Sequence, residues 1–399
     1  MNKYLKNNIS LILKIFLYLN PILDLITSIM INYLNISFTI GMIIRFIFLF
    51  VIVYYYLYVK KDNNKRNYFI IGLLYIISFV LLTLYNKGFN ALSYEVVWLL
   101  KIIYFIVLLI FINKEDVDIK LEDFINVGLL YLSIIFMSNI LSLSFNSYTQ
   151  GKIGSVGLFN SGNEISAILS ILNPLFIYYL FNKNNIYKKI VLVILMLSTY
   201  FNIGSKIIII SLLVSIIYNV ILVLKNKNLN KKYLVIGIIL LVLSICIIPR
   251  TNIYYNIILH LNYLGINSFK DIFSYNFFNR FIFSDRLTYL INTNDIYIKS
   301  SILEKLLGIG FIHNYSSDLI SFKMIEMDFF DIFYSLGIIG FLIYLKPLIK
   351  GIKTMNNKLF KFSVIMSLIM AFLMGHTLVA PSVSIFILYM IKYKEKVKL

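Results

Sequence analysis

The chain has 399 residues, of which 60% are hydrophobic and 16% aromatic, and its mean hydropathy of +0.85 leaves too little polar surface to cover a soluble globule. A net charge of +19 would suggest a nucleic-acid partner in a soluble protein, but here the lysines fall in short clusters between apolar runs, where they orient membrane spans; no nucleic acid is expected. The one cysteine, Cys246, lies in an apolar run, so no intrachain disulfide is possible and redox chemistry says nothing about compartment.

In chain order, Lys3, Lys6 and an apolar run from Ile9 imitate a signal peptide. No small-residue cleavage site follows, and Pro21 and Asp24 sit inside the run, so it reads as a retained first span. Runs of about 18 to 25 apolar residues cross a bilayer as helices. Such runs lie near Ile9 to Leu34, Phe38 to Val59, Asn67 to Tyr85, Ala91 to Ile112, Phe124 to Phe145 and Glu164 to Phe181. They continue near Ile190 to Ile203, Ile207 to Leu224, Tyr233 to Ile248, Asp328 to Leu345, Leu359 to Gly375 and Ser382 to Ile391. The expectation is an all-α polytopic membrane protein of about twelve transmembrane helices, one integral membrane domain over residues 1–399. With both termini cytoplasmic, 24 of the 37 Lys and Arg fall on inner connections, whereas the short outer ones hold only Lys87, Lys152 and Lys206. That bias places the one long connection, 250–323, outside the membrane.

The long loop carries Arg280, Arg286 and His313. Its Phe277, Phe278, Phe281, Phe283 and Leu287 need burial, so it should pack on the membrane face or over the bundle. Ser301 to Glu304 form a capping box and Gly308 is a helix stop. Ser284 is the expected N-cap of a helix through about Ile298, which puts Arg286 in the first turn, where amide protons and a guanidinium together suit a phosphate. Arg280 can approach the same point. The alternative for both arginines is contact with lipid phosphates at the headgroup layer.

Glu326, Asp328 and Asp331 open the next span. They serve either as caps on the helix dipole or, facing a polar crevice, as a general base for a sugar hydroxyl. Gly204-Ser205-Lys206 is a turn with a cation that snorkels or binds an anion. Asp24, Arg45 and Lys101 are ionisable residues inside spans; these mark function by default, although an Asp24–Arg45 structural ion pair fits as well. The turn Gly157 to Glu164 offers amides and the side chains of Asn160 and Asn163 to sugar hydroxyls. His260, His313 and His376 are scattered and no ligand spacing is present, so neither a metal nor a nucleotide cofactor is expected.

In order and spacing these pieces resemble the O-antigen ligase and O-antigen polymerase family. Gly157 to Glu164 is similar to that family's Gly-Phe-Asn turn, Gly204-Ser205-Lys206 to its Gly-Ser-Arg turn, Arg286 to its loop arginine, Leu307-Gly308-Ile309-Gly310 to its Gly-x-Gly, and Glu326 to Gly340 to the helix that follows. Two positions depart: Lys206 stands where an arginine is usual, and Glu326 stands near the place where ligases carry a His-Asn pair, as in the acidic version of capsule and repeat-unit polymerases. The resemblance implies metal-independent, inverting transfer of glycan from an undecaprenyl-diphosphate-linked oligosaccharide to a sugar hydroxyl, at the outer face of a bacterial cytoplasmic membrane. It assigns diphosphate binding to Lys206, Arg280 and Arg286 and the base to Glu326 or else Asp328. It further implies membrane lipids, a flippase and a chain-length regulator as partners. The competing readings are a ligase with another acceptor, a flippase, and a non-catalytic scaffold. A flippase should show symmetry between halves and cytoplasm-facing cations, and the sequence has neither.

Overall fold

The computed structural model describes residues 2–36, 39–146, 154–225, 252–263, 271, 273–275, 277–312 and 324–394. Among the described residues the chain is helical throughout, without a strand, and eight helices are long and apolar enough to cross a membrane. The protein is an all-α polytopic membrane protein. In chain order the helices are α1 (Asn2–Asn32), α2 (Ile40–Tyr54), α3 (Asn63–Phe111), α4 (Leu121–Ile140), α5 (Gly162–Asn182), α6 (Ile186–Ile203) and α7 (Lys206–Lys225). The loop region contributes α8 (Asn252–Tyr263), α9 (Arg286–Lys299) and α10 (Ile302–Leu307), and the chain returns through α11 (Asp328–Lys353), α12 (Lys358–Leu373) and α13 (Pro381–Ile391).

The departures from twelve expected spans have plain causes. α3 has 49 residues, roughly 70 Å if straight and over twice the hydrocarbon thickness. It bends at Gly88 (φ 74°) into two pieces that match the third and fourth expected spans. α12 and α13 are apolar but only 16 and 11 residues long. The ninth expected span, Tyr233 to Ile248, lies outside the described residues, as do Cys246 and His313.

α5 is the axis of the bundle. It is apolar on nearly every side and accordingly buried on nearly every side, packing against α7 and α12. Helices in a bilayer are drawn together by close packing and polar contacts, and α5 supplies both. Asn173 donates to Ser211 Oγ at 2.7 Å and accepts from Tyr200 Oη at 2.6 Å, while Ser166 and Ser170 keep the helix surface small.

Charges sort to the two ends. At one end Lys14 pairs with Asp123, Lys60 with Asp116, and Lys183 with Glu122. Apart from Lys14, which stands within the first span, these residues belong to the lysine-rich connections expected inside. The other end gathers the 157–161 turn, Gly204–Lys206, the 374–380 connection and the docked loop helices, where the functional candidates lie.

Candidate functional site

The loop is fastened to the bundle by backbone geometry. α10 begins with Ser301 and Glu304 in a reciprocal capping box and stops at Gly308, as the sequence predicts. α11 kinks at Gly337 (φ 64°), which frees carbonyls of its preceding turn. The loop fills them: Ile309 N donates to Tyr334 O at 3.0 Å and Gly310 N to Ser335 O at 3.2 Å. Gly308 sits so close that a Cβ would lie 2.0 Å from Ser335 O, so two glycines meet where the chains touch. Tyr75 on α3 donates to Leu336 O at 2.7 Å and lies 3.0 Å from Leu307 O. Beyond the glycines, Glu95 is fully buried and accepts from Phe311 N (2.7 Å), Ile312 N (2.9 Å) and Lys87 Nζ (2.6 Å), and Lys87 also donates to Ile309 O at 2.6 Å. A buried carboxylate with two backbone donors and a cation is satisfied, so this pair anchors the loop.

α9 begins at Arg286, as its expected place in a first turn requires. The capping is different: Asp285 (φ 68°) occupies the N-cap with no side-chain bond, and Ser284 is also left-handed (φ 51°), so the serine does not cap. The backbone instead bends sharply and delivers Arg286 inward, only 11% exposed. Its Nη2 donates to Glu326 at 2.9 Å, and its Nε has no hydrogen-bond partner among the described residues. Phe283 packs in a small apolar cluster with Ile309, Ile325 and Met327, while Phe278 stays exposed.

A cavity of about 440 Å³ opens beside Arg286. Its polar rim is Asn163, Ser205, Lys206, Ser284 and Arg286; its apolar wall is Ile207, Ile210 and Val214 of α7 with Met366, Ile369, Met370 and Leu373 of α12. Lys206 reaches it because α6 ends at Gly204 in a left-handed conformation and α7 starts two residues later. Lys206 and Arg286, 80 residues apart, thus line one pocket that is cationic at one part and apolar at another.

The three acids at the start of α11, Glu326 just before it and Asp328 and Asp331 in its first turn, separate into different roles. Asp331 accepts from Ile325 N and Met327 N, both at 3.0 Å, and caps its own helix. Asp328 is fully buried and accepts from His376 N, Thr377 N, Thr377 Oγ1 (2.8 Å each) and Leu378 N (2.6 Å), so its oxygens are saturated and it fixes the 376–378 turn. Glu326 alone of the three keeps a partly exposed side chain. It adopts φ 60°, its side chain is one-third exposed, and its Oε2 lies 2.9 Å from Arg286 and 3.9 Å from His376 Nε2. The longer of these is an ion-pair separation, and Nε2 makes no hydrogen bond among the described residues. Burial alone would raise the Glu326 carboxyl, but His376 and then Arg286 outweigh it and hold it at about 2. For His376, burial pulls downward and the carboxylates of Glu326, Asp328 and Glu164 more than offset this, lifting it above its ordinary 6.5.

A family model, O-antigen ligase like membrane protein, matches residues 6–270 and 276–394. The chain belongs to that family. Comparison with curated proteins and with solved structures returned no match. Membership supports a lipid-linked glycan ligase or polymerase kind of function, with glycosyl transfer as the activity and lipid-linked oligosaccharide and membrane lipids as its ligands.

In this O-antigen ligase-like chain the structure brings together Lys206, Arg286 and Asn163 at one cavity, with Glu326 bonded to Arg286 at its edge. It does not bring Arg280 there: that side chain is half exposed on the π-helical turn Phe277–Ile282, and its Nε faces Asp285 at 3.7 Å. Asn160 accepts from Asn32 Nδ2 at 3.1 Å and lines a second cavity. The Asp24–Arg45 ion pair across the first hairpin is present. Sequence reading passed over His376 and the Lys87–Glu95 pair. The signal for His376 was its place in Gly375-His376-Thr377, a connection that alternation of spans puts on the loop side. For Glu95 it was a carboxylate in the middle of an apolar run.

Proposed function

We propose that the chain is a polysaccharide polymerase. It joins undecaprenyl-diphosphate-linked oligosaccharide repeats at the outer face of a bacterial cytoplasmic membrane, by metal-independent inverting transfer. The observation that carries this reading is the 440 Å³ cavity with Lys206 and Arg286 at its rim and an apolar wall behind them, an arrangement suited to a diphosphate on an isoprenoid chain. Glu326 at its edge, in place of a His-Asn pair, favours polymerase over ligase.

In this mechanism the donor diphosphate lies against Arg286, whose Nε has no partner among the described residues, and against Lys206. The acceptor hydroxyl attacks the anomeric carbon. A new C–O bond forms, the bond from that carbon to the diphosphate oxygen breaks, the lipid diphosphate leaves with the electron pair, and the hydroxyl proton passes to Glu326. Arg286 and Lys206 stabilise the negative charge that develops on the leaving group. A carboxyl held at about 2 is a weak base, and what holds it is the pair of cations beside it. The donor's negative charges draw Arg286 toward themselves, weaken its bond to Glu326 and raise the carboxylate's proton affinity, so donor binding activates the base.

The test is polymer formation by purified protein from lipid-linked repeats. Wild-type protein should polymerise in EDTA, and Glu326→Gln should bind donor but turn over about 10² to 10⁴ times more slowly. Full activity of Glu326→Gln would remove Glu326 from the chemistry, and loss of wild-type activity on chelation would remove the metal-free step.

A further inference from the structure

A second cavity, of about 250 Å³, lies between α1, α2, α3, the turn before α5 and the start of α13. We propose that it seats the acceptor sugar, the glycan whose hydroxyl attacks the donor; this rests on the glycosyl-transfer reading above.

The lining argues for a carbohydrate. Asp24, Arg45, Lys101 and Glu164 face the cavity with Asn160 and Ser382, so two carboxylates balance two cations. The first cavity has Lys206 and Arg286 as its charged residues and suits an anion. A neutral wall rich in both donors and acceptors suits hydroxyls, which act as both. Buried donors here still want acceptors. Arg45 is 7% exposed, oriented by Asp24 and by Asn20 Oδ1 at 3.0 Å, yet its Nε has no partner among the described residues. Lys101 makes no hydrogen bond among the described residues; its ammonium rests 4.4 Å from the Trp98 ring. Glu164 accepts from Ser382 Oγ through one oxygen, leaving the other for a ligand hydroxyl. A buried group such as Arg45 Nε is seldom left unmatched, and a sugar hydroxyl can satisfy it while also meeting the half-buried Lys101 and Glu164.

The position fits an acceptor. About one turn of α5 and the 374–382 connection form the wall shared by the cavities: Asn163 and Gly375 line the first, Asn160, Glu164 and Ser382 the second. His376 in that connection stands beside Glu326 and feels the charge of Glu164. A sugar held in the second cavity would lie across this shared wall from the diphosphate, and inversion requires its hydroxyl to reach the anomeric carbon on the face away from the leaving group.

Trp98 is the only tryptophan of the chain and stands against Lys101, so its fluorescence reports this cavity without any turnover. The probe is the oligosaccharide repeat freed of its lipid diphosphate; inorganic pyrophosphate is the control anion. Wild-type protein should show a saturable fluorescence change with the oligosaccharide and none with pyrophosphate. Glu164→Gln and Ser382→Ala should each weaken it at least tenfold, with the affinity for undecaprenyl diphosphate unchanged. No response to the oligosaccharide, a response to pyrophosphate instead, or unaltered binding in both variants would overturn the proposal. Polymer formation without a fluorescence response defeats this site alone, whereas a saturable response in a protein that never transfers glycan defeats the polymerase reading.

Discussion

Arg286 shows why residue type and geometry must be argued together. Its guanidinium meets Glu326 at 2.9 Å with one nitrogen and keeps Nε for another partner, a division of labour that a lysine ammonium does not reproduce. Arg286→Lys should lose most polymer formation at normal protein abundance, while Lys206→Arg should be tolerated or improved. Wild-type polymer length in Arg286→Ala would remove this arginine from the site. A second consequence concerns pH. The folded-state value of His376 is raised, so the stability it contributes is fully present below its ordinary 6.5 and is lost as pH rises through the higher folded value. Thermal unfolding in detergent should therefore show a midpoint that falls as pH rises above about 6.5, and Glu326→Gln should flatten that fall by removing the largest favourable partner. An unchanged slope in Glu326→Gln would mean that the two side chains do not interact in the folded protein.

At the scale of elements, docking of the loop depends on matched irregularities. α11 breaks at Gly337 and the loop places Gly308 against the break, where a Cβ has no room on either side. Gly308→Ala should cost about 1–3 kcal/mol through the left-handed backbone alone, with the clash in addition, and should expose α9 and α10 to protease before the bundle unfolds. A Glu95→Gln variant should loosen the same segment, since Lys87 would keep its burial and lose its counter-charge. Protease resistance equal to wild type in both variants would contradict the anchoring role. These elements were unequally legible. The capping box at Ser301, the stop at Gly308 and the turn at Gly204 are local and follow from neighbouring residues. The pairing of Glu95 with Phe311 N joins residues 216 apart in sequence, and His376 meets Glu326 from another connection, contacts that no local pattern encodes. The serine expected to cap α9 failed for a related reason: the tertiary bond from Arg286 to Glu326 decides the backbone there.

At the scale of the whole molecule, apolar runs and basic clusters identify a multi-pass bundle because the bilayer constrains length and charge so strongly. Topology is the remaining expectation, and single cysteines test it. In a Cys246→Ser background, Asn292→Cys on α9 should react with an impermeant thiol reagent in intact cells and Asn184→Cys between α5 and α6 should not; the reverse pattern would invert the protein. The two cavities back onto one wall at the start of α5, and the carboxylate at that wall sits clamped between Arg286 and His376. Such a clamp bears on waste. Once donor has drawn Arg286 away, only His376 still restrains the carboxylate, and a water standing in the approach to the anomeric carbon is then activated as a sugar is. Idle hydrolysis of the lipid carrier should therefore follow the absence of acceptor: a cell short of acceptor wastes donor, and a sugar in that approach protects it by keeping solvent out.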